Sequence, residues 1–144
     1  MWLWDTNIVR AFSDERVDGH DRVRARLEAV GPGAVGIPVV VAAELLDGRL
    51  RYLNAAHRLS ARQLLVAFEQ FDATVRLLSL FPVVPFDEAA LDVYRQRRLF
   101  PGTMSRADRL IAAVALAGSH CLVTRNVSHF LPVQGLVIEN WIDG

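Results

Sequence analysis

Lysine is absent from this chain of 144 residues, and all 16 of its basic side chains are arginine. That absence excludes a Walker-type phosphate loop, a lysine Schiff base and a lysine general base. Cysteine is nearly absent too. The one thiol, Cys121, lies in the apolar run Cys121-Leu122-Val123, so no internal disulfide is available. A buried, reduced thiol in a reducing compartment is the expectation. Long hydrophobic runs are missing: Leu110 to Gly118 falls far short of the roughly 18 residues of a membrane span. The opening Met1-Trp2-Leu3-Trp4-Asp5 has neither the basic start nor the apolar stretch of a signal peptide. The chain therefore reads as soluble and cytoplasmic, with no membrane partner.

An excess of either charge is also lacking. Net charge is zero and the pI is near 6.9, which argues neither for nor against a polyanionic partner. Apolar residues make up 52%, too many for a disordered chain and enough for a core without staples. The length suits one domain, residues 1–144. The arginines are grouped as Arg49, Arg51, Arg58 and Arg62, then Arg95, Arg97 and Arg98, then Arg106 and Arg109. Grouped guanidinium forks match phosphate geometry and suit an RNA backbone. Ordinary helix surface, with arginine used wherever a cation is wanted, explains them equally well.

Trp2-Leu3-Trp4 reads as a short buried strand followed by a brief helix over 6–12. Val23, Leu27 and Val30 at i, i+4 and i+7 mark an amphipathic helix from about Asp18, closed by Gly31-Pro32-Gly33. A second strand spans 34–37, and Pro38 opens a helix as its first-turn residue. That helix reaches Leu46, with Gly48 a point to bend or end it. Leu50 to His57 is helical again. Ser60 caps a further helix carrying Leu64, Phe68, Phe71 and Val75. Residues 81–86 make a third strand punctuated by Pro82 and Pro85. Asp87 caps a helix to about Leu99, and Ser105 starts one that ends near Gly118. Strands follow at 121–124 and 136–138. Short apolar strands alternating with helices indicate an α/β/α sandwich, a short parallel sheet covered on both faces. Ligands of such sheets sit beyond the carboxyl ends of the strands.

Four polar residues fall where that edge should be. Asp5 directly follows the first strand; it either caps the next helix or serves a site. Glu44 stands in Val39-Val40-Val41-Ala42-Ala43-Glu44-Leu45-Leu46, a segment apolar almost all round, with Asp47 and Gly48 at i+3 and i+4 instead of a cation. Charged side chains are seldom buried unless paired or metal-bound, so Glu44 is expected to be buried for a functional reason, a long salt bridge to Arg51 being the alternative. Asp108 lies in Ser105-Arg106-Ala107-Asp108, which also reads as a capping box. It shares a helical face with Ile111, Ala112 and Ala115, so its carboxylate is expected to point inward along the sheet's end. Asn126, after the fourth strand, is a neutral oxygen donor at the same edge or an ordinary loop residue. Oxygen donors of this kind suit Mg²⁺ or Mn²⁺, which activate water and neutralise charge in phosphodiester hydrolysis.

Asp5-Thr6-Asn7 after the opening strand, isolated Glu44, Asp108-Arg109-Leu110-Ile111-Ala112-Ala113 and Leu122-Val123-Thr124-Arg125-Asn126 before Phe130 together resemble a PIN-domain nuclease. The match covers essentially the whole chain and is nearest to the VapC-type toxins of bacterial toxin–antitoxin pairs. The resemblance implies Mg²⁺- or Mn²⁺-dependent endoribonuclease activity on an RNA substrate, homodimerisation, and inhibition by a cognate antitoxin. It implies Asp5, Glu44 and Asp108 as catalytic, metal-binding acids, with Asn126 near the place of a fourth carboxylate. His129 occupies another position that is often acidic. With one charge fewer, a second metal ion would bind more weakly. Thr6, Asn7 and Thr124 are candidate supports for metal waters or phosphate oxygens. The helical hairpin from Leu45 to Val75 falls where relatives dimerise and grip the antitoxin, although core packing explains its apolar side as well.

Rival chemistries lack their parts. A haloacid-dehalogenase-type phosphatase needs a second Asp where Asn7 stands, and usually a lysine. A receiver domain also uses lysine. His20, His57, His120 and His129 have no zinc-ligand spacing with each other or with Cys121, and no motif supports a serine or cysteine nucleophile. The non-enzymatic alternative is a PIN-fold module that binds RNA or protein without cutting. Against it, a module that only binds has no reason to place Glu44 in an apolar helix.

Overall fold

The computed structural model describes the backbone of residues 1–144 and every side chain except that of Ala56. Five strands, β1 (Trp2–Trp4), β2 (Val35–Pro38), β3 (Val83–Val84), β4 (Cys121–Val123) and β5 (Val137–Glu139), form one sheet of order β3-β2-β1-β4-β5. Every pairing is parallel. The helices are α1 (Thr6–Ser13), α2 (His20–Val30), α3 (Val39–Asn54), α4 (Ala61–Ser79), α5 (Glu88–Arg95), α6 (Arg106–Ala117) and α7 (Val127–Phe130). They flank the sheet on both sides, as the alternation of short apolar strands and helices predicts. Among the described residues no helix is long and apolar enough to cross a membrane.

The chain winds outward from β1 to β2 and β3, then returns to the other side of β1 for β4 and β5. The direction of winding therefore reverses between β1 and β4. Loops leaving the carboxyl ends of two such strands diverge and open a crevice. Asp5 follows β1 directly and Thr124 follows β4 directly. The Asp5 N–H donates to Val123 O at 3.0 Å, which joins the two loop origins at the seam.

The core beneath is aromatic. Trp4 is fully buried, with ring centroids 5.2 Å from Phe12, 5.0 Å from Phe81 and 6.0 Å from Trp141. Glu139 ties the far edge to the centre: it accepts from Trp2 Nε1 at 3.2 Å, Trp141 Nε1 at 2.7 Å and Arg26 Nη2 at 3.0 Å. These donors hold its carboxyl below the ordinary range despite its partial burial. At Gly19, where φ is +84°, an added Cβ would stand 2.6 Å from Ile142 Cγ2, so the turn into α2 demands glycine.

Several boundaries differ from those read in the sequence. Pro38 closes β2 and stands as the N-cap of α3, not in its first turn, and the helix does not end at Gly48; α3 continues to Asn54, because one interior glycine costs only about 1 kcal/mol against the contacts α3 makes with α4. The third strand shrinks to Val83–Val84 between its two prolines, which cannot donate to a ladder. Helix α2 begins at His20, after Gly19, and α5 stops at Arg95 before a 3₁₀ turn over Arg97–Leu99. The stripe of α4 also turns out differently: Ala67 and Thr74 are buried, whereas Phe68 is 56% exposed and Val75 is 45% exposed.

Trp4→Ala removes the ring that three other aromatic side chains enclose. The expected loss, read as the urea midpoint with an unchanged slope, is about 3–5 kcal/mol.

Candidate acidic site at the carboxyl edge of the sheet

Asp5 is only 6% exposed. Its backbone leaves β1 in an extended conformation and caps α1, with Oδ1 accepting from Thr6 N at 2.7 Å. The other oxygen, Oδ2, accepts from Thr124 Oγ1 at 2.7 Å and Asn7 Nδ2 at 3.0 Å. Capping and a site role therefore coexist in one carboxylate. Thr124, fully buried, is the hub: its hydroxyl donates to Asp5 and accepts from Asn7 Nδ2 at 3.2 Å and from Asn126 N at 3.0 Å. Asn7 Oδ1 in turn accepts from Arg125 N at 3.0 Å. Three residues flanking β1 and β4 thus lock one anion at the seam.

Burial pushes the Asp5 carboxyl up, the hydrogen bonds from Thr124 and Thr6 pull it down, and the charges of Asp108 and Glu44 push it up again. Asp108 and Glu44 therefore lie within electrostatic reach of Asp5, although α6 and α3 supply them from far along the chain.

Glu44 departs from the expectation of burial. It is half-buried, and Thr6 Oγ1 donates to its Oε2 at 2.6 Å. Arg51 pairs instead with Asp47 at 2.8 Å, so the salt-bridge alternative for Glu44 is not realised. One turn of α1 consequently serves both acids: Thr6 donates its amide to Asp5 and its hydroxyl to Glu44. Ser105 caps α6 by accepting from Asp108 N at 3.1 Å. The Asp108 carboxylate, 24% exposed, lies 3.5 Å from His129 Nδ1 on α7. Asn126 enters through its backbone only; its side chain is exposed and makes no cap bond to α7.

Among the described residues no three His, Cys, Asp or Glu side chains close on a single point as a ready metal cage. Asp5 and Glu44 are turned toward donors of their own, Thr124, Asn7 and Thr6 for Asp5 and Thr6 for Glu44, while Asp108 lies beside the His129 ring. The donor set still suits a hard divalent cation, being a buried Asp5 carboxylate within electrostatic reach of those of Asp108 and Glu44, with neutral oxygens beside them. The contact between His129 and Asp108 was not legible in the sequence, because a lone histidine 21 residues from its partner carries no spacing signal.

Residues 3–130 match the PIN domain family. Toxin FitB of Neisseria gonorrhoeae is 28% identical over 147 residues, spanning 99% of this chain and all of that protein. Among solved structures, FitAcB from Neisseria gonorrhoeae superposes with a TM-score of 0.75 at 27% identity, over 97% of each chain. DNA-bound VapBC from Salmonella typhimurium shares the fold, with a TM-score of 0.75 at 20% identity over 97% of each chain. These likenesses agree with the resemblance carried by the sequence motifs.

The electrostatics of Asp5 give two shifts of opposite sign. Asp108→Asn is expected to lower the Asp5 pKa by removing a repelling charge, and Thr124→Val to raise it by removing a hydrogen bond to the ionised form. Carboxyl NMR titration reads both. In the wild type Asp5 binds its proton more tightly folded than unfolded. Its contribution to stability is therefore full below the ordinary value of 3.8 and is lost as pH rises through the raised value.

Proposed function

The chain belongs to the PIN-domain family, and from that premise we propose that it is a metal-dependent endoribonuclease acting as the toxin of a toxin–antitoxin pair. PIN-domain toxins are generally nucleases. The observation that carries the reading is the buried Asp5 carboxylate, locked at the seam by Thr124 and Asn7 and raised first by its burial and then by the charges of Asp108 and Glu44. Burying an anion among other anions destabilises a chain that has no use for it.

Asp5, Glu44 and Asp108 would hold Mg²⁺ or Mn²⁺. The bound cation supplies an activated water and neutralises charge developing on the phosphate and the leaving oxygen. The remaining work falls to side chains of this protein. Thr124 and Asn7 fix the orientation of the Asp5 carboxylate, and Thr6 restrains Glu44. Preorganised ligands need no reordering when substrate arrives. Asn126, with its exposed amide, is available to a phosphate oxygen or a metal water. Its neutrality favours one firmly held ion over two.

The relatives are toxins or toxin–antitoxin complexes by name, which supports a cognate antitoxin as partner. A second copy of this chain is the other. Leu65, Phe68 and Val75 expose a contiguous apolar face on α4, with Leu50 and Tyr52 on α3 also uncovered, and homodimerisation would cover it. Phe68→Glu is expected to shift the protein to monomer in sedimentation, with its melting curve unchanged.

The principal test is cleavage of total cellular RNA by purified protein with Mg²⁺, Mn²⁺ or EDTA. Discrete, metal-dependent fragments are expected, and Asp5→Asn or Asp108→Asn should reduce their rate by about 100-fold or more. Mn²⁺ should raise the melting temperature of the wild type and leave that of Asp5→Asn unchanged. Metal-independent fragments, or fragments that survive both substitutions, would overturn the assignment.

A further inference from the structure

We propose that the groove between α1 and the α3–α4 hairpin is the path of single-stranded RNA to the acidic site, with Arg49 as its fixed phosphate contact. The inference rests on the nuclease reading and says where on the surface its substrate lies.

The groove encloses about 1200 Å³ and has Glu44 in its lining, so it opens beside one of the candidate acids. Pockets for small ligands run to roughly 300–1,000 Å³; this one is long enough in lining, from Val9 on α1 to Leu80 beyond α4, for a polymer. Its charge is one-sided. Arg10, Arg16, Arg24, Arg49 and Arg76 border it against the acids Asp14 and Glu44. Arg16 and Arg76 are neutralised by Asp14 and Asp72, each at 2.8 Å. Among the described residues Arg10, Arg24 and Arg49 have no carboxylate within ion-pair distance.

Arg49 is held in a manner that surface arginines seldom are. Its Nε donates to Thr74 Oγ1 at 3.1 Å and its Nη1 to Gln70 Oε1 at 3.3 Å. Thr74, only 7% exposed, is itself anchored by donating to Gln70 O at 3.0 Å. Two neutral acceptors on α4 thus orient a cation from α3 without cancelling its charge. A guanidinium so fixed presents its remaining Nη2 edge to an anion at little entropic cost. Arg24 lies over the Phe12 ring, 5.4 Å from its centroid, and the half-buried Leu45 and Leu77 are in the same lining. A lining that holds both cations and apolar side chains fits a single strand, whose phosphates would meet the arginines while its unstacked bases meet the apolar groups. A duplex keeps its base faces stacked and offers the apolar groups none of them.

The probe is a short labelled RNA of mixed sequence, titrated by fluorescence anisotropy against Asp5→Asn protein so that it is not cut. Arg49→Ala is expected to weaken binding about tenfold and to reduce the slope of log affinity against log salt by about 0.7, one single-strand phosphate contact. Arg49→Lys should restore the slope but only part of the affinity, since an ammonium lacks the fork. Thr74→Val should weaken binding without changing the slope, as befits a positioning residue. Combining Arg10→Ala, Arg24→Ala and Arg49→Ala should lower the slope by about 2. An unchanged affinity and slope in that triple variant, with its melting curve intact, would overturn the proposal. So would duplex RNA binding as tightly as single strand, or an acidic peptide displacing nothing yet depending on the same three arginines. Cleavage by the wild type is scored separately: cleavage without groove dependence overturns the groove alone, and its absence alongside groove-dependent binding overturns the nuclease reading alone.

Discussion

A carboxylate placed where two parallel strands part company needs donors that water would otherwise provide. Asp5 finds them in Thr124 and Asn7, and the 2.7 Å bond from the Thr124 hydroxyl to Oδ2 is the contact on which the arrangement turns. Thr124 is fully buried and follows β4; Asp5 follows β1. The bond therefore spans the point where the winding of the sheet reverses. Without it a desolvated anion would face two other acids with one donor fewer, a strongly unfavourable state. The aromatic core around Trp4 lies directly beneath and fixes the strand that delivers Asp5. Packing, topology and site chemistry are thus consecutive consequences of one short strand.

The same economy governs the other acids. Thr6 is the first residue of α1, and its amide and hydroxyl serve two different carboxylates. A helix N-terminus already favours negative charge, and the side chain extends that preference to Glu44 on α3. Asp108 likewise sits in the first turn of α6, with its amide donated to the Ser105 hydroxyl. One strand end, one helix start and the second turn of α3 supply the acids, so large separations in sequence collapse to one edge.

How much of this was readable from residues alone depended on the kind of signal. Periodicity and turn chemistry located β1, α4 and α6, because Trp2-Leu3-Trp4, Ser60 and Ser105 carry local causes of local structure. Gly48 misled, since tertiary contacts with α4 outweigh a single glycine's cost. Phe68 and Val75 fell at core spacing yet face outward: periodicity identifies a stripe without saying what covers it. The acids were conspicuous for their placement in apolar segments. The partner of Glu44 was not, because Thr6 lies 38 residues away and no pattern links them. Arg49 was hidden for the same reason, its two acceptors belonging to another helix.

A chain of zero net charge has to gain affinity for a polyanion by arrangement, not by excess. Here the arrangement is legible in which arginines are cancelled. Arg16, Arg51, Arg76 and Arg125 pair with Asp14, Asp47, Asp72 and Asp143, exposed pairs of the sort that contribute little stability. Arg16 and Arg76 border the groove, but beside them Arg49 takes neutral acceptors and Arg24 an aromatic face. Neutral partners orient a cation while preserving its field, whereas a carboxylate would orient and extinguish it together. Uncancelled cations beside a cluster of acids also resolve an electrostatic difficulty. A phosphate strand is repelled by Glu44, Asp108 and Asp5 unless positive charge is fixed close by, and guanidinium groups on the adjoining helices provide it without entering the acidic site itself.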